Sequence, residues 1–217
     1  MPQSLHGVYA ITDETLLSGS DLFARVDEAL SAGLALLQYR NKHADRKHRY
    51  EEASELTRLC RLYDTPLLIN DDVDLCLEVG ADGVHLGQSD TKLHDARRRL
   101  GANGLIGITC HSDLSLALRA QEAGANYVAF GRFFPSLTKP DAAPAAIEIL
   151  QQAKAQLHIP IVAIGGINAE NGEALVMAGA DMLAVIHYLF ASPGVYQRAS
   201  ALNALFSLHP QHSQESS

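Results

Sequence analysis

The sequence has few cysteines, no signal-like amino terminus and no long apolar stretch, and each absence excludes a class of protein. Its 217 residues contain three cysteines, too few and too scattered for a disulfide framework, and no Cys-x-x-Cys pair. No apolar run approaches the roughly 18 residues that a membrane span needs. Residues 1–7 lack the basic and apolar regions of a secretory signal. We therefore expect a cytoplasmic protein whose cysteines are buried as small hydrophobic residues.

Positive charge is also scarce. The chain has 17 Lys+Arg against 25 Asp+Glu, a formal net charge of −8. An acidic chain without a Lys/Arg-rich run does not offer the electrostatic surface that grips nucleic acid or an anionic membrane. We therefore expect small-molecule partners, with no nucleic acid and no membrane. The oligomeric state stays open, and a homo-oligomer is compatible with the sequence.

The sequence does contain a regular alternation of short apolar runs and helix-like stretches. Amphipathic stretches with a 3.6-residue period, such as residues 22–32, 49–62, 114–123 and 173–178, lie between runs of strand length. The eight strand-like runs are residues 8–12, 35–40, 66–70, 83–87, 105–109, 127–131, 161–164 and 183–186. Several returns from helix to strand repeat a glycine where a helix end favours a left-handed residue. The pattern predicts β-α units throughout.

Eight such units predict a single-domain (β/α)8 TIM barrel. Dividing 217 residues by eight gives about 27 per unit, which is short but within the range of this fold. A doubly wound open sheet is the alternative, but polar residues follow nearly every strand, whereas an open sheet concentrates them at one switch point. We expect the barrel to span residues 1–206. Residues 207–217 are polar and without periodicity, and we expect a disordered tail there.

The end of the second strand concentrates donors for an anion. The two-residue period of a strand places Gln38, Arg40 and Lys42 on one side, facing the barrel mouth. A guanidinium, an ammonium and an amide together suit a diphosphate, because charge-assisted hydrogen bonds to its oxygens are strong. The alternative is a solvated strand end.

Aspartates follow the third and fourth strands. Neighbouring strands lie about 4.8 Å apart, so Asp71 or Asp72 could meet Asp90 over one cation. Mg²⁺ takes one or two carboxylates together with phosphate oxygens and water. The alternative for each aspartate is a helix cap.

Two later segments could bind phosphate. Residues 131–140 carry two hydroxyls and a lysine between prolines, which suits a loop that closes on phosphate, although a plain connector is the alternative. The pair Gly165-Gly166 follows the seventh strand, where barrels often bind phosphate. Residues 97–99 form a short arginine run, which we interpret as the solvated face of a helix. No nucleophile elbow, Walker loop, dinucleotide fingerprint or zinc-site spacing occurs.

Taken together, these segments resemble the thiamine-phosphate synthase family, from residue 9 to about 206. The runs that carry the resemblance are Tyr9-Ala10-Ile11-Thr12-Asp13, Gln38-Tyr39-Arg40-x-Lys42, Ile69-Asn70-Asp71, Gly83-Val84-His85-Leu86-Gly87-Gln88-x-Asp90, Ser136-x-Thr138-Lys139 and Ala163-Ile164-Gly165-Gly166-Ile167. The resemblance implies a (β/α)8 barrel that joins a hydroxymethylpyrimidine diphosphate to a thiazole phosphate with Mg²⁺, releasing pyrophosphate.

The resemblance also implies a role for individual residues. The implied ligands of the pyrimidine diphosphate are Gln38, Tyr39, Arg40, Asn41, Lys42, Asn70, Thr109 and Lys139, with Arg40, Lys42 and Lys139 as the catalytic cations. The implied magnesium ligands are Asp71 and Asp90. The implied contacts of the thiazole phosphate are Ser136, Leu137, Thr138, Gly166, Ile186 and His187. Many members of the family have Thr in place of Ser136, and Ser-Ala is more usual than His187-Tyr188.

Two other functions compete with synthesis. A thiazole tautomerase resembles this family in fold and shares some motifs. The joint presence of Asp71, Asp90 and Ser136-x-Thr138-Lys139 favours the synthase, because a monophosphate isomerase has less need of a metal-diphosphate site. A non-catalytic barrel that binds thiazole or thiamine phosphate is the second alternative. Measuring turnover separates it from either enzyme.

Overall fold

The computed structural model describes residues 5–88, 93–136 and 143–208, in which strands and helices alternate. The strands are β1 (Gly7–Ile11), β2 (Leu36–Tyr39), β3 (Leu67–Asn70), β4 (Gly83–Leu86), β5 (Leu105–His111), β6 (Tyr127–Phe130), β7 (Ile161–Ile164) and β8 (Met182–Val185). The helices are α1 (Ser20–Ser31), α2 (Arg46–Leu62), α3 (Val73–Val79), α4 (Leu93–Leu100), α5 (Leu114–Glu122), α6 (Glu148–Lys154), α7 (Gly172–Met177), α8 (His187–Phe190) and α9 (Val195–Leu208).

The strands close into a barrel in chain order, and every neighbouring pair is parallel. Strand β1 pairs with both β2 and β8, with Tyr9 aligned to Leu36 on one side and to Ala184 on the other. The predicted (β/α)8 barrel is therefore confirmed and the open sheet is excluded. The observed strands differ from the predicted ones by at most two residues at an end.

The strands are largely apolar because both of their faces are mostly buried. Alternate residues of a barrel strand point into the barrel and out towards the helices. The inner apolar cluster is Tyr9, Ile11, Leu36, Leu68, Tyr127, Ala129, Val162, Met182 and Ala184. The larger outer cluster lies between the barrel and the helices, and in α1 it takes up Leu22, Val26 and Leu30, which are spaced four residues apart.

The three cysteines belong to the outer cluster. Cys60, Cys76 and Cys110 are buried and form no disulfide. Burial raises the pKa of each thiol to about 12, so each stays protonated and unreactive at neutral pH. The interpretation of the cysteines as small hydrophobic residues is confirmed. Among the helices that the structure describes, none has the length and apolar character needed to cross a bilayer.

The repeated helix-to-strand returns tie neighbouring strands together at the amino-terminal face of the barrel. Asp82, Asn126 and Asp181 each precede a strand, and each makes the same pair of bonds to the strand before it. In the last of them, the Asp181 N–H donates to the Ile161 carbonyl at 2.8 Å, and the Asp181 carboxylate accepts the Ile161 N–H at 2.9 Å. The equivalent pairs join Asp82 to Leu67 and Asn126 to Ile106. We call these pairs the strand latches.

Arg97 supports one of the strand latches. Its guanidinium donates to the Asn126 side chain at 2.6 Å and to the carbonyls of Gly101, Gly104 and Gly124. Burial lowers the pKa of Arg97. The interpretation of the arginine run as a solvated face is therefore wrong for Arg97. Its side chain instead donates hydrogen bonds to backbone carbonyls near the amino-terminal face of the barrel.

Substitution of a latch residue tests its structural role. We expect Asp181→Ala to lower the free energy of unfolding by about 1–3 kcal/mol, because the buried Ile161 N–H loses its acceptor. Urea denaturation of both proteins measures the difference. Asp181→Asn keeps an acceptor and loses only the ion pair with Lys154, so it should cost about 1 kcal/mol or less. Equal losses in the two variants would contradict the assigned role.

Candidate active site

A cavity of about 720 Å³ opens at the carboxyl-terminal ends of the strands, and all eight strands or the segments after them contribute to it. Ten of the predicted site residues line it: Gln38, Arg40, Lys42, Asn70, Asp71, Thr109, Ser136, Gly166, Ile186 and His187. The structure therefore brings together side chains that are up to 149 residues apart in the chain (187 − 38 = 149). Asp90, Leu137, Thr138 and Lys139 lie outside the described residues.

Two predicted residues point elsewhere. The Tyr39 hydroxyl donates to the Glu52 carboxylate in α2 at 2.6 Å, and the Asn41 amide donates to the same oxygen at 3.1 Å. The strand period explains this, because residues 39 and 41 alternate with the inward-facing 38, 40 and 42. The Tyr39 side chain is buried in the outer cluster, while Asn41 lines a smaller cavity of about 360 Å³ beside the main one.

Positive charge is concentrated in the main cavity. Among the described residues that line it, Arg40, Lys42, Arg132 and Arg198 are basic and Asp71 is the one Asp or Glu. The whole chain carries a net charge of −8. A cleft lined by one sign of charge attracts ligands of the opposite sign. The cavity is therefore suited to an anionic ligand although the protein is acidic.

Arg40 is held in place by the segment that follows β1. Its Nη1 lies 3.4 Å from Asp13 Oδ2 and 3.6 Å from Glu14 Oε2, and its side chain is 16% exposed. Its backbone N–H donates to Thr12 Oγ1 at 2.9 Å. These contacts fix the guanidinium before a ligand arrives and leave its other nitrogens available to an anion.

Glu14 also holds the segment that carries Lys42. Its Oε1 accepts the Lys42 backbone N–H at 3.3 Å and His43 Nδ1 at 2.7 Å. Burial raises the pKa of Glu14, but its hydrogen bonds and the charge of Arg40 outweigh burial, so the net pKa lies below the usual glutamate value. Glu14 therefore stays ionised and joins the Arg40 guanidinium to the backbone at Lys42.

The structure separates the roles of two adjacent aspartates. Asp72 caps α3, where its carboxylate accepts the Leu75 N–H at 2.9 Å. Asp71 faces the main cavity, where its Oδ2 accepts from Asn70 Nδ2 at 2.6 Å and lies 3.5 Å from Lys42 Nζ. The helix-cap alternative thus holds for Asp72, and the Asp71 carboxylate is left in the cavity.

The far side of the cavity depends on a close approach of two loops. The Phe134 N–H donates to the Gly165 carbonyl at 3.0 Å, so the segment after β6 lies across the segment after β7. A Cβ at Gly166, which has a φ of 64°, would lie 2.3 Å from the Pro135 carbonyl oxygen. Glycine at position 166 lets Ser136 and the β7 loop line the same cavity.

Sequence reasoning missed four charged residues of this region. Asp13 and Glu14 follow β1 after Thr12, and a pair of carboxylates near a strand end is the signal that could find them. Arg132 follows β6 in the same way. Arg198 lies inside α9, where its guanidinium donates to the Tyr188 carbonyl at 2.8 Å, and no motif marks it.

Enzymes with a (β/α)8 barrel carry their active sites at the carboxyl ends of the strands, frequently with a phosphate-binding site there, and the cation-rich cavity lies at that end. The chain belongs to the thiamine monophosphate synthase family, whose model matches residues 8–189.

Individual relatives support the family assignment. The chain is 48% identical over 206 residues to a thiamine-phosphate synthase of Nitrosococcus oceani, covering 95% of each chain. It is 51% identical to the thiamine-phosphate synthase of Saccharophagus degradans, covering 94% of this chain and 95% of that one. Among solved structures, thiamine phosphate pyrophosphorylase from Pyrococcus furiosus aligns with a TM-score of 0.86 and 33% identity, covering 95% and 98% of the two chains.

The depressed pKa of Glu14 yields a prediction. We expect Glu14→Gln to lower the free energy of unfolding at pH 7 by about 1–2 kcal/mol, because the ionised carboxylate accepts two hydrogen bonds and faces Arg40. A carboxylate with a native pKa below its unfolded pKa stabilises the fold above the unfolded value, and this contribution is lost as pH falls through the native value.

Urea denaturation of wild type and variant from pH 7 downward checks this prediction. The difference between the two proteins should narrow below the ordinary glutamate pKa of about 4.3. The exposed Glu122, at the end of α5, offers a matched control, and Glu122→Gln should change little at any pH. A difference for Glu14→Gln that is constant with pH would show that its charge is not what stabilises the fold.

Proposed function

We propose that this chain is a thiamine-phosphate synthase, which joins 4-amino-2-methyl-5-(hydroxymethyl)pyrimidine diphosphate to a thiazole phosphate and releases pyrophosphate. The observation that carries the proposal is the excess of cations in the cavity of an acidic protein. Both substrates are phosphorylated anions, and guanidinium and ammonium groups form strong bonds to phosphate oxygens. The relatives from Nitrosococcus oceani and Saccharophagus degradans are named for the same activity.

The diphosphate of the first substrate would lie at the ends of β2 and β3. Arg40, Lys42 and Asn70 supply donors there, and Lys139 joins them by family resemblance. The pyrimidine ring would lie deeper, over Gln38 and Thr109, whose side chains line the cavity floor. This placement puts the charged part of the substrate near the barrel mouth and its ring in the barrel.

The reaction exchanges one bond for another. The C–O bond between the pyrimidine methylene and the diphosphate breaks, and its electron pair leaves with the diphosphate. The resulting pyrimidine cation is captured by the lone pair of the thiazole nitrogen, which forms the new C–N bond. Arg40, Lys42 and Lys139 stabilise the charge that builds on the leaving group, and such fixed electrostatic contacts are often the largest part of catalysis.

Magnesium is part of this proposal, and the described residues fit it. The Asp71 carboxylate faces the cavity beside Lys42, and Mg²⁺ commonly needs only one or two carboxylates besides phosphate oxygens and water. Asp90, the second proposed ligand, lies outside the described residues, and within the described ones no three His, Cys, Asp or Glu side chains converge on one point. A bound Mg²⁺ would neutralise charge on the diphosphate.

The thiazole phosphate would bind across the cavity, between the segments after β6, β7 and β8. Ser136, Gly166, Ile186 and His187 line this side, and residues 137–139 are added by family resemblance. Holding the second substrate here places its nitrogen in reach of the methylene carbon, and such positioning lowers the barrier further. Exclusion of water protects the cation from hydrolysis.

The proposed diphosphate site separates this function from its competitors. A tautomerase of a monophosphate and a non-catalytic phosphate sensor do not need a carboxylate and two cations at the ends of β2 and β3, where Lys42 and Asp71 lie 3.5 Å apart. The cytoplasmic location stays a prediction from the sequence, and the oligomeric state stays open.

Pyrophosphate release tests the proposal directly. Purified protein with both substrates and Mg²⁺ should release pyrophosphate and form thiamine phosphate in equal amounts. Omission of either substrate, or of Mg²⁺, should abolish release. Binding of the thiazole phosphate without any release would instead support the tautomerase or the sensor.

Loss of the Asp71 carboxylate should lower the turnover rate and raise the Mg²⁺ concentration that the enzyme needs. We expect Asp71→Ala to lower kcat/KM on the order of 100-fold, because Mg²⁺ would lose a protein ligand and the leaving diphosphate would lose the charge that neutralises it. The Mg²⁺ concentration for half-maximal rate should rise as well. Glu122→Ala removes a carboxylate from the opposite end of the barrel and serves as the control. Wild-type rates and an unchanged Mg²⁺ requirement in Asp71→Ala would refute the metal role of Asp71.

A further inference from the structure

A continuous chain of hydrogen bonds crosses the inside of the barrel below the cavity. It begins at Gln38, whose Nε2 donates to the Tyr9 hydroxyl. The hydroxyls of Tyr9 and Tyr127 lie 2.8 Å apart, and the Tyr127 hydroxyl lies 2.8 Å from His85 Nδ1. The chain ends where His85 Nε2 lies 2.8 Å from Thr109 Oγ1. It thus joins two residues of the cavity floor, Gln38 and Thr109, through three aromatic rings on different strands.

Both phenols of this chain keep their protons. Tyr9 is 1% exposed and Tyr127 is fully buried. Burial raises the pKa of both hydroxyls well above the usual tyrosine value. Each hydroxyl therefore has one proton to donate and can accept from a neighbour.

The first hydrogen bond sets the direction of the others. Because Gln38 donates to Tyr9, the Tyr9 proton goes to Tyr127, whose hydroxyl is its other partner in the chain. The Tyr127 proton then goes to Nδ1 of His85, which must carry a lone pair. A neutral imidazole with a lone pair on Nδ1 has its proton on Nε2, and that proton is donated to Thr109 Oγ1.

We propose that Tyr127 is a positioning residue that fixes His85 in the tautomer protonated on Nε2, so that the Thr109 hydroxyl directs its own proton into the cavity. There it would bond to an acceptor nitrogen of a heterocyclic substrate. The proposal rests on the proposed function in one respect, because it assumes that the pyrimidine ring lies over Thr109.

The packing around Tyr127 shows that its ring position is built into the barrel. A Cβ on Gly107 would lie 1.9 Å from Cζ of Tyr127, so only glycine at 107 leaves room for the ring. The His85 ring stacks on Tyr127 with centroids 5.7 Å apart and an interplanar angle of 23°. Phenylalanine would fill the same space, so Tyr127→Phe removes the hydroxyl and leaves the packing.

Nitrogen NMR of histidine-labelled protein reads the tautomer without reference to activity. The His85 signals are assigned among the ten histidines by their loss in His85→Gln. Wild type should show a protonated Nε2 and an unprotonated Nδ1 for His85. Tyr127→Phe should show a mixture of tautomers. A wild-type proton on Nδ1 would overturn the proposal, and this measurement needs no variant of Tyr127.

Kinetics separate positioning from a general structural effect. We expect Tyr127→Phe to raise the KM for the pyrimidine diphosphate about fivefold, the cost of one hydrogen bond, and to leave the KM for the thiazole phosphate unchanged. Tyr63→Phe removes a hydroxyl that bonds to Asp27 on the outside of the barrel and is the matched control.

An equal rise in both KM values, or a Tyr127→Phe protein with the wild-type tautomer and kinetics, would contradict the positioning role. If wild type released no pyrophosphate at all, the proposed function would fail, while the NMR result would still decide the direction of the chain.

Discussion

The two-residue period of strands in a closed barrel determines where almost every functional side chain lies. A barrel of eight short strands has room inside for only a few side chains from each strand. Along a strand, residues that point into the barrel alternate with residues that point out towards the helices. Gln38 and Arg40 reach the cavity because they share the inward register, whereas Tyr39 between them bonds to Glu52 in α2. A shift of one residue in β2 would exchange these two sets. The packing of the outer cluster against the barrel holds β2 in this register and so keeps Gln38 and Arg40 directed into the cavity.

The same constraint explains why polar groups inside the barrel form a connected set. An interior lined by Leu36, Val162 and Met182 cannot hydrate an isolated phenol or imidazole, and an unsatisfied buried polar group costs more than a hydrogen bond returns. Tyr9, Tyr127 and His85 satisfy one another. Arg40 follows the same rule nearer the mouth, where Asp13 and Glu14 neutralise it in part and fix its direction.

The sequence predicts the fold, and it predicts which side chains of β2 and of the segment after it face the cavity, for physical reasons. The periodicity of apolar residues and the polar residues at strand ends are patterns among residues close together in the sequence. They therefore predict the barrel and the inward orientation of Gln38, Arg40 and Lys42. Asp71 and Asp72 could not be separated, because both follow β3 and only the backbone at Asp71, with a φ of 63°, decides which of them caps α3.

Other features depend on contacts between distant segments. Arg198 reaches the cavity from α9, and the Tyr9–Tyr127 bond joins residues 118 apart. Such pairs carry no local pattern. The strand latches show the reverse case. The repeated glycine has a local pattern that predicts a helix end, but the contact between strands is made by the Asp or Asn two residues later.

The strand latches make the two ends of the barrel different, because one end holds the strands together and the other carries the cavity. Each latch joins a strand to the one before it, β4 to β3, β6 to β5 and β8 to β7, through polar atoms at the amino-terminal face only. The amino-terminal end of the barrel thus consists of strand pairs joined by hydrogen bonds at the face opposite the cavity. Loops at the opposite end can change in length and sequence without loosening this foundation, so an ancestral barrel of this kind could acquire new substrates by altering one face while the other kept it folded.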